Sequence, residues 1–247
     1  MFKLFSRPKP KEDAFDFTKL KVDMHSHLLP GIDDGARDLH SSVTLIKGLK
    51  ALGYKKLITT PHIMWDMYRN TPEIIKEKLQ TVKEAVAGEG IEIELHAAAE
   101  YFLDYHMEEL LAGKEPLLTI SENKVLVEMS LAFPAMNTKE LLFELEMQGY
   151  QPVMAHPERY IYLQQNKGFF DELKDMGCLF QLNLLSLTGQ YGRTVQELAQ
   201  HLLKKNYYDM MGTDLHNTNH LQGLQNLKAG ELINQWLDSG SVLNSQL

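Results

Sequence analysis

Histidines and carboxylates recur along the 247-residue chain at spacings that suit metal coordination. Asp23-Met24-His25-Ser26-His27 is followed by Asp33-Asp34, Thr60-Pro61-His62, Glu100, Glu128, Ala155-His156-Pro157-Glu158-Arg159 and Asp214-Leu215-His216. Imidazole with carboxylate is the donor set of Zn, Fe or Mn, and the absence of thiolate ligands argues against a structural Cys-type zinc site. His25 and His27 are two residues apart, as are Asp214 and His216. Side chains i and i+2 of an extended segment project to one side, so each pair is expected to reach one cation. The candidate metal ligands are His25, His27, Asp34, His62, Glu100, Glu128, His156, Asp214 and His216. A single ion would leave too many of these groups unused, and two or three ions sharing a bridging carboxylate are expected. His40, His96, His106, His201 and His220 lack this placement and read as surface or helix histidines.

Such ligands are useful only if the fold gathers them, and the elements between them suggest how. Runs of strand length and composition recur at Lys21–Met24, Lys56–Thr60, Ile91–Ala98, Lys124–Met129, Gln151–Ala155, Leu179–Leu184 and Tyr208–Gly212. Helical spacing of apolar residues falls between them. Leu39, Val43, Ile46, Leu49 and Leu52 define one helix that stops at Gly53, and Thr71-Pro72 opens the next as N-cap and first turn. Further helices are predicted over Asn137–Gln148, Gly168–Met176, Thr194–Lys205 and Leu221–Trp236. Alternation of this kind predicts a parallel α/β sheet with right-handed crossovers, and seven units without a change of composition favour one (β/α) barrel. In such a barrel the C-terminal strand ends share one face, and nearly every candidate ligand follows a strand.

Composition narrows the function. With 25 Lys+Arg against 33 Asp+Glu the formal charge is −8, which disfavours a nucleic-acid or anionic-membrane surface. A 44% hydrophobic content supports a large core. No apolar run reaches the roughly 18 residues of a membrane span, and the N-terminus lacks a secretory hydrophobic region, so a cytoplasmic location is expected. The one cysteine, Cys178, enters an apolar strand with no phosphate-cradling loop around it and reads as a core residue. Residues 1–19 carry Pro8 and Pro10 and no sustained period, and are expected to form an N-terminal tail, with residues 20–247 as the barrel. Phe2, Leu4 and Phe5 beside Lys3 and Arg7 offer that tail a weak surface-anchoring role.

The motifs His25-Ser26-His27 through Gly31-Ile32-Asp33-Asp34-Gly35, Thr60-Pro61-His62, Glu100, Glu128, His156-Pro157-Glu158-Arg159-Tyr160 and Asp214-Leu215-His216-Asn217 resemble the PHP (polymerase and histidinol phosphatase) superfamily. The resemblance covers about residues 20–240 in order and is nearest to the bacterial manganese-dependent protein-tyrosine phosphatases of the CpsB/YwqE type. It implies a distorted (β/α)7 barrel holding three divalent metal ions, Mn foremost, with Fe, Co or Zn accepted by the same donors. It also implies that His25, His27, Glu100 and Asp214 surround one ion, Glu100, Glu128 and His156 a second, and Asp34, His62 and His216 a third. Arg159 matches an arginine that contacts the substrate phosphate. A second family arginine, five residues beyond the last ligand, is replaced by Leu221, with His220, Arg37 or Arg69 as substitutes.

The implied reaction is hydrolysis of phosphotyrosine, on a bacterial tyrosine autokinase that controls capsular or exopolysaccharide synthesis. His220 is the candidate acid for the leaving group, whose ordinary pKa is near 10. Two other readings remain open from the sequence: a histidinol-phosphatase-like phosphomonoesterase on the same metal site, and a catalytically weak metal-binding regulator.

Overall fold

The computed structural model describes residues 13–133 and 137–247. In chain order the strands are β1 (Asp13–Ala14), β2 (Val22–Asp23), β3 (Lys56–Thr59), β4 (His62–Ile63), β5 (Glu94–Ala97), β6 (Glu100–Phe102), β7 (Lys124–Glu128), β8 (Gln151–Ala155), β9 (Leu179–Asn183), β10 (Met210–Gly212) and β11 (Lys228–Ala229). The α-helices are α1 (Leu39–Leu52), α2 (Pro72–Gly88), α3 (Tyr105–Gly113), α4 (Thr138–Met147), α5 (Gly168–Asp175), α6 (Arg193–Lys204), α7 (Thr218–Gln225) and α8 (Glu231–Asp238).

Parallel pairing links β2 to β3 and β3 to β5, and then β4, β6, β7, β8, β9 and β10 in that spatial order. β3 and β4 are one strand interrupted at Pro61, which has no N–H to give, and β5 and β6 are one strand interrupted at Ala98-Ala99. Counted this way there are seven parallel segments. A bridge between Ser26 and Leu215 returns the last to the first, with His27 N–H donating to the Leu215 carbonyl at 3.0 Å and Asp214 N–H to that of His25 at 2.8 Å. The pairing circuit is thereby closed, consistent with the barrel expected from the seven repeats.

Side-chain alternation divides the apolar residues between two layers. Val22, Met24, Ile58, Leu126, Val153, Ala155 and Met210 form a compact inner cluster, while Leu57, Val125, Val127, Met154, Phe180, Leu182 and Met211 join the larger layer packed with the helices. Continuing the inward register by two residues at a time leads from Leu126 to Glu128 and from Met210 through Gly212 to Asp214. The inner face thus changes from apolar to ligand-bearing at the C-terminal strand ends. Lower in the barrel, Asn244 fills the seam between β2 and β10: its amide donates to the carbonyls of Val22 (3.0 Å) and Met211 (2.6 Å) and accepts from Met211 N–H (2.8 Å).

Three features depart from the sequence reading. Residues 13–19 are not a loose tail: β1 pairs antiparallel with β11, and Phe15 and Phe17 are buried, Phe17 packing on Phe15 and Tyr54. Burial of two aromatic rings outweighs a charged, period-free local sequence. The proposed anchoring residues Phe2, Leu4 and Phe5 lie outside the described residues. The helix predicted over Leu221–Trp236 is two helices, because Lys228–Ala229 is drawn off to form β11. Helix α3, capped by Asp104 on the N–H groups of His106 and Met107, was not foreseen.

Phe17→Ala should destabilise the fold by about 3–5 kcal/mol, the usual cost of emptying a buried phenylalanine site. Denaturant unfolding that moved by less than about 1 kcal/mol would show that residues 13–19 are an appendage after all.

Candidate metal centre

Eight of the nine candidate ligands are buried or nearly so at one end of the barrel, and Asp34 is more exposed. His25 Nε2 lies 3.3 Å from His27 Nε2, 3.2 Å from Glu100 Oε2 and 3.4 Å from Asp214 Oδ1, while His27 Nε2 is 3.4 and 3.5 Å from the same two oxygens. Four donors placed tetrahedrally about 2.1 Å from a cation lie about 3.4 Å from one another. His25, His27 and Glu100 therefore group as for one ion, with Asp214 Oδ1 beside the two imidazoles. The other oxygen of Glu100, Oε1, faces His156 Nε2 at 3.2 Å, and His156 Nε2 is 3.6 Å from Glu128 Oε1. Asp34 Oδ1 is 3.5 Å from His62 Nε2 and 3.4 Å from His216 Nε2. His62 also turns its Nδ1 to Glu100 Oε2 at 3.2 Å and Glu128 Oε2 at 3.5 Å, so the donor groups overlap at His27, His62 and Glu100, and Glu100 turns its two oxygens to different neighbours.

The donor atoms are short of partners of their own. Glu100 Oε1, Glu128 Oε2 and the Nδ1 atoms of His62 and His156 are buried without a hydrogen bond, a costly condition unless something else binds nearby. Burial raises carboxyl pKa values, but the imidazoles of His25 and His62 outweigh it at Glu100, which is held well below its ordinary range. Glu128, buried and facing the Glu100 charge, is pushed well above. Burial lowers His62 to about 4, and burial with Arg159 lowers His156, so both rings favour the neutral form that can donate a lone pair to a cation.

Local backbone and neighbouring side chains aim these groups. His156 (φ 31°) and Asp214 (φ 49°) occupy left-handed conformations that a non-glycine residue holds at a cost of about 1–3 kcal/mol. At the turn Asp214 joins His25 and His27, while His216 presents Nε2 to Asp34 and keeps its Nδ1 3.4 Å from Asp214 Oδ1. Sequence reasoning also missed three orienting residues. Asp33 Oδ2 is 2.8 Å from His27 Nδ1, and Gln181 Oε1 is 2.9 Å from His25 Nδ1 while also accepting from His156 N–H at 3.2 Å. Each contact fixes the tautomer that leaves Nε2 free for coordination. Asn183 donates to Asp214 Oδ2 at 2.7 Å. Gln181 and Asn183 share the inward face of β9, an i, i+2 signal present in the sequence on the one strand that carries no candidate ligand. Gly212 is required below them, because a Cβ there would come within 2.7 Å of both Gln181 Nε2 and His25 Cβ.

The centre opens into a cleft of about 560 Å³, lined among others by Met64, Met67, Phe102, Leu131, Arg159, Tyr191 and His220. Arg159 donates from NH1 to Asp214 Oδ2 at 2.9 Å. His220 lies on the cleft wall rather than on an outer surface, its Nδ1 3.3 Å from the Asp214 carbonyl oxygen. Burial, then the neighbouring His216, lowers its pKa, which works against its storing a proton for the leaving group at neutral pH. Leu221 is buried against Gly48 of α1, so the position after the last ligand points into packing and not into the cleft. Neither substitute arginine lines this cleft: Arg37 borders a separate pocket beyond Asp34 and His216, and Arg69 is bonded through Nε to the Trp65 carbonyl. Cys178 is buried away from the site, its thiol pushed up to about 12 by burial. His96 pairs with Glu94, and His106 stacks on Trp65.

A sequence profile of the family described as "Capsular polysaccharide synthesis, CpsB/CapC" matches residues 21–228. The tyrosine-protein phosphatase YwqE of Bacillus subtilis (strain 168) is 28% identical over 197 residues, 79% of this chain and 77% of that protein. The tyrosine-protein phosphatase CpsB of Streptococcus pneumoniae is 27% identical over 202 residues, 79% of this chain and 83% of its own length. A solved structure from work on YwqE and CpsB, described there as "unique metal-dependent tyrosine phosphatases", superposes with a TM-score of 0.78 at 26% identity, covering 91% of this chain and 94% of the other. The lactonase Lmo2620 of Listeria monocytogenes, at 10% identity and a TM-score of 0.53 over 96% of this chain and 93% of its own, shares the fold alone.

Asp33→Asn should weaken binding of Mn²⁺ about 10–100-fold, the usual effect of losing a carboxylate behind a ligating histidine, with the circular-dichroism spectrum retained. An unchanged dissociation constant in a metal titration would remove Asp33 from the centre. In the folded protein a thiol reagent should leave Cys178 unmodified and should titrate one thiol only after denaturation.

Proposed function

The chain belongs to the CpsB/CapC capsular polysaccharide synthesis family, and from that membership we propose that it is a metal-dependent protein-tyrosine phosphatase. Its substrate in this reading is a phosphotyrosyl protein, specifically a bacterial tyrosine autokinase that controls capsule or exopolysaccharide assembly. The observation that carries the reading is Glu100, whose two oxygens face two separate donor groups at the base of a cleft that also holds Arg159. Overlapping groups of donors around His27, His62 and Glu100 favour more than one divalent ion, and the reading takes three, with Mn the proposed metal because hard carboxylate oxygens are mixed with imidazole. His25, His27, Glu100 and Asp214 would hold one ion, Glu100, Glu128 and His156 a second, and Asp34, His62 and His216 a third. When bound, such ions supply Lewis acidity to phosphoryl oxygens and an activated water near neutral pH.

The chain's own residues supply the rest. Arg159 keeps one donor on Asp214 and offers the others of its planar fork to phosphate oxygens, a geometry lysine does not reproduce. Asn183 shares the load on Asp214 Oδ2, so the carboxylate stays ionised and oriented when Arg159 engages substrate. His220, its pKa lowered by burial and by His216, lines the cleft as a hydrogen-bonding group for the substrate. No helix among the described residues is long and apolar enough to cross a membrane.

With Mn²⁺ added, a phosphotyrosyl peptide should be hydrolysed in preference to histidinol phosphate. The reverse preference would replace this reading by a small-molecule phosphomonoesterase, and turnover of neither by a metal-binding regulator. His156→Ala should abolish turnover with the fold retained, and full activity in that variant would refute its place among the ligands. Arg159→Ala should lower kcat/KM about 100-fold, the worth of a charge-assisted contact of about 3 kcal/mol, with metal content unaltered.

A further inference from the structure

Among the described residues that line the cleft Arg159 is the sole arginine or lysine, so a phosphate there depends on one guanidinium being correctly held. Its NH1 is bonded to Asp214 Oδ2, and no other protein acceptor for its side chain is found among the described residues. One bond to a carboxylate leaves a long side chain free to swing. The second restraint comes from Tyr191, whose ring centroid is 4.7 Å from Arg159 Cζ.

Tyr191 is itself well anchored. It belongs to the turn Thr188-Gly189-Gln190-Tyr191-Gly192, in which Gly189 (φ 80°) and Gly192 (φ 92°) take left-handed conformations and Gly192 N–H donates to the Gly189 carbonyl at 2.9 Å. Thr188 Oγ1 accepts from Gln190 N–H and donates to the Leu185 carbonyl, tying the turn to the end of β9. The Tyr191 hydroxyl accepts from Asn183 Nδ2 at 3.4 Å, the amide that also donates to Asp214 Oδ2. The ring of His220 meets it edge-on, with centroids 6.2 Å apart. Tyr191, Asn183, Asp214 and Arg159 therefore close a cycle, in which the ring supports one side of the guanidinium and the carboxylate takes one edge.

We propose that Tyr191 is a positioning residue for phosphate recognition, its ring holding the Arg159 guanidinium at the angle from which the unused N–H donors meet a phosphoryl group. The proposal rests on the phosphatase reading, and it assigns the work to the ring rather than to the hydroxyl. A stacked guanidinium is restricted in its plane without losing donors, since cation–π contact engages the face and hydrogen bonds engage the edge.

The test is calorimetric binding of inorganic phosphate to the full, Mn²⁺-loaded chain, beside p-nitrophenyl phosphate turnover. Tyr191→Leu should weaken phosphate binding about 10-fold and raise KM in step, with kcat changed less and metal content unchanged. Tyr191→Phe should restore the affinity, and in an Arg159→Lys background the Leu substitution should cost less than about 2-fold. Phosphate binding unaffected by Tyr191→Leu, an equal loss in the Lys background, or failure of Phe to restore it would each overturn the proposal. Should the Leu variant misfold, the Arg159 Nε–H proton of the wild-type chain, which should be displaced upfield by the ring current, decides the matter; an ordinary shift overturns it. Absence of p-nitrophenyl phosphate and phosphotyrosyl turnover by the wild-type chain would instead defeat the phosphatase reading, while the phosphate-binding comparison would still report on Tyr191.

Discussion

The buried Nε2 atoms of His25 and His27 stand 3.2–3.5 Å from each other and from oxygens of Glu100 and Asp214, and a third carboxylate, Glu128, faces the charge of Glu100. Carboxylates cannot be crowded this closely in a low-dielectric interior unless positive charge stands among them. Imidazolium can supply some of it, but protonated rings cannot also donate lone pairs. Divalent cations resolve the conflict: they lower the carboxylates together, use the neutral imidazoles and satisfy the orphaned carboxylate oxygens. The acidic balance of the chain has a local explanation here, since four of its acids are candidate ligands.

Holding such a cluster together requires the surrounding barrel to be stiff. The seven parallel segments present their ends to one face, and the hydrogen bonds that close the ring, between His27 and Leu215 and between Asp214 and His25, are made by the ligand-bearing residues themselves or their neighbours. The same residues therefore close the ring and carry the centre. The left-handed backbones of His156 and Asp214 have the same origin: extended conformations would carry those side chains along the strand instead of into the centre. Gln181 reinforces the arrangement by bonding the ring of His25 and the backbone of His156 with one carbonyl oxygen.

The cleft above follows from this economy. Asp214 gives one oxygen to the donor quartet and the other to Asn183 and Arg159, so the phosphate-binding side chain is referenced directly to the metal centre. Leu221, meanwhile, packs against Gly48, which places the position of a second arginine in the helix interface and leaves the cleft with a single guanidinium.

Sequence alone determined the repeating strand and helix pattern, the capped starts at Thr71 and the stop at Gly53, and the identity of the candidate ligands, because these depend on residue type and on periods of two and 3.6 that are local. It also fixed that Cys178 is a core residue. Tertiary structure alone decided how the ligands are shared. His216 stands between Asp214 and Asp34, one ring nitrogen toward each, and Asp33, Gln181 and Asn183 acquire roles only when distant strands are brought side by side. The same is true of Phe15 and Phe17, which look like a tail until β11 provides the strand they need, and of Asn244, which closes a seam more than 200 residues from β2. Partner choice across a sheet is set by register and by the competition of every buried polar group for an acceptor, and that competition has no local signature.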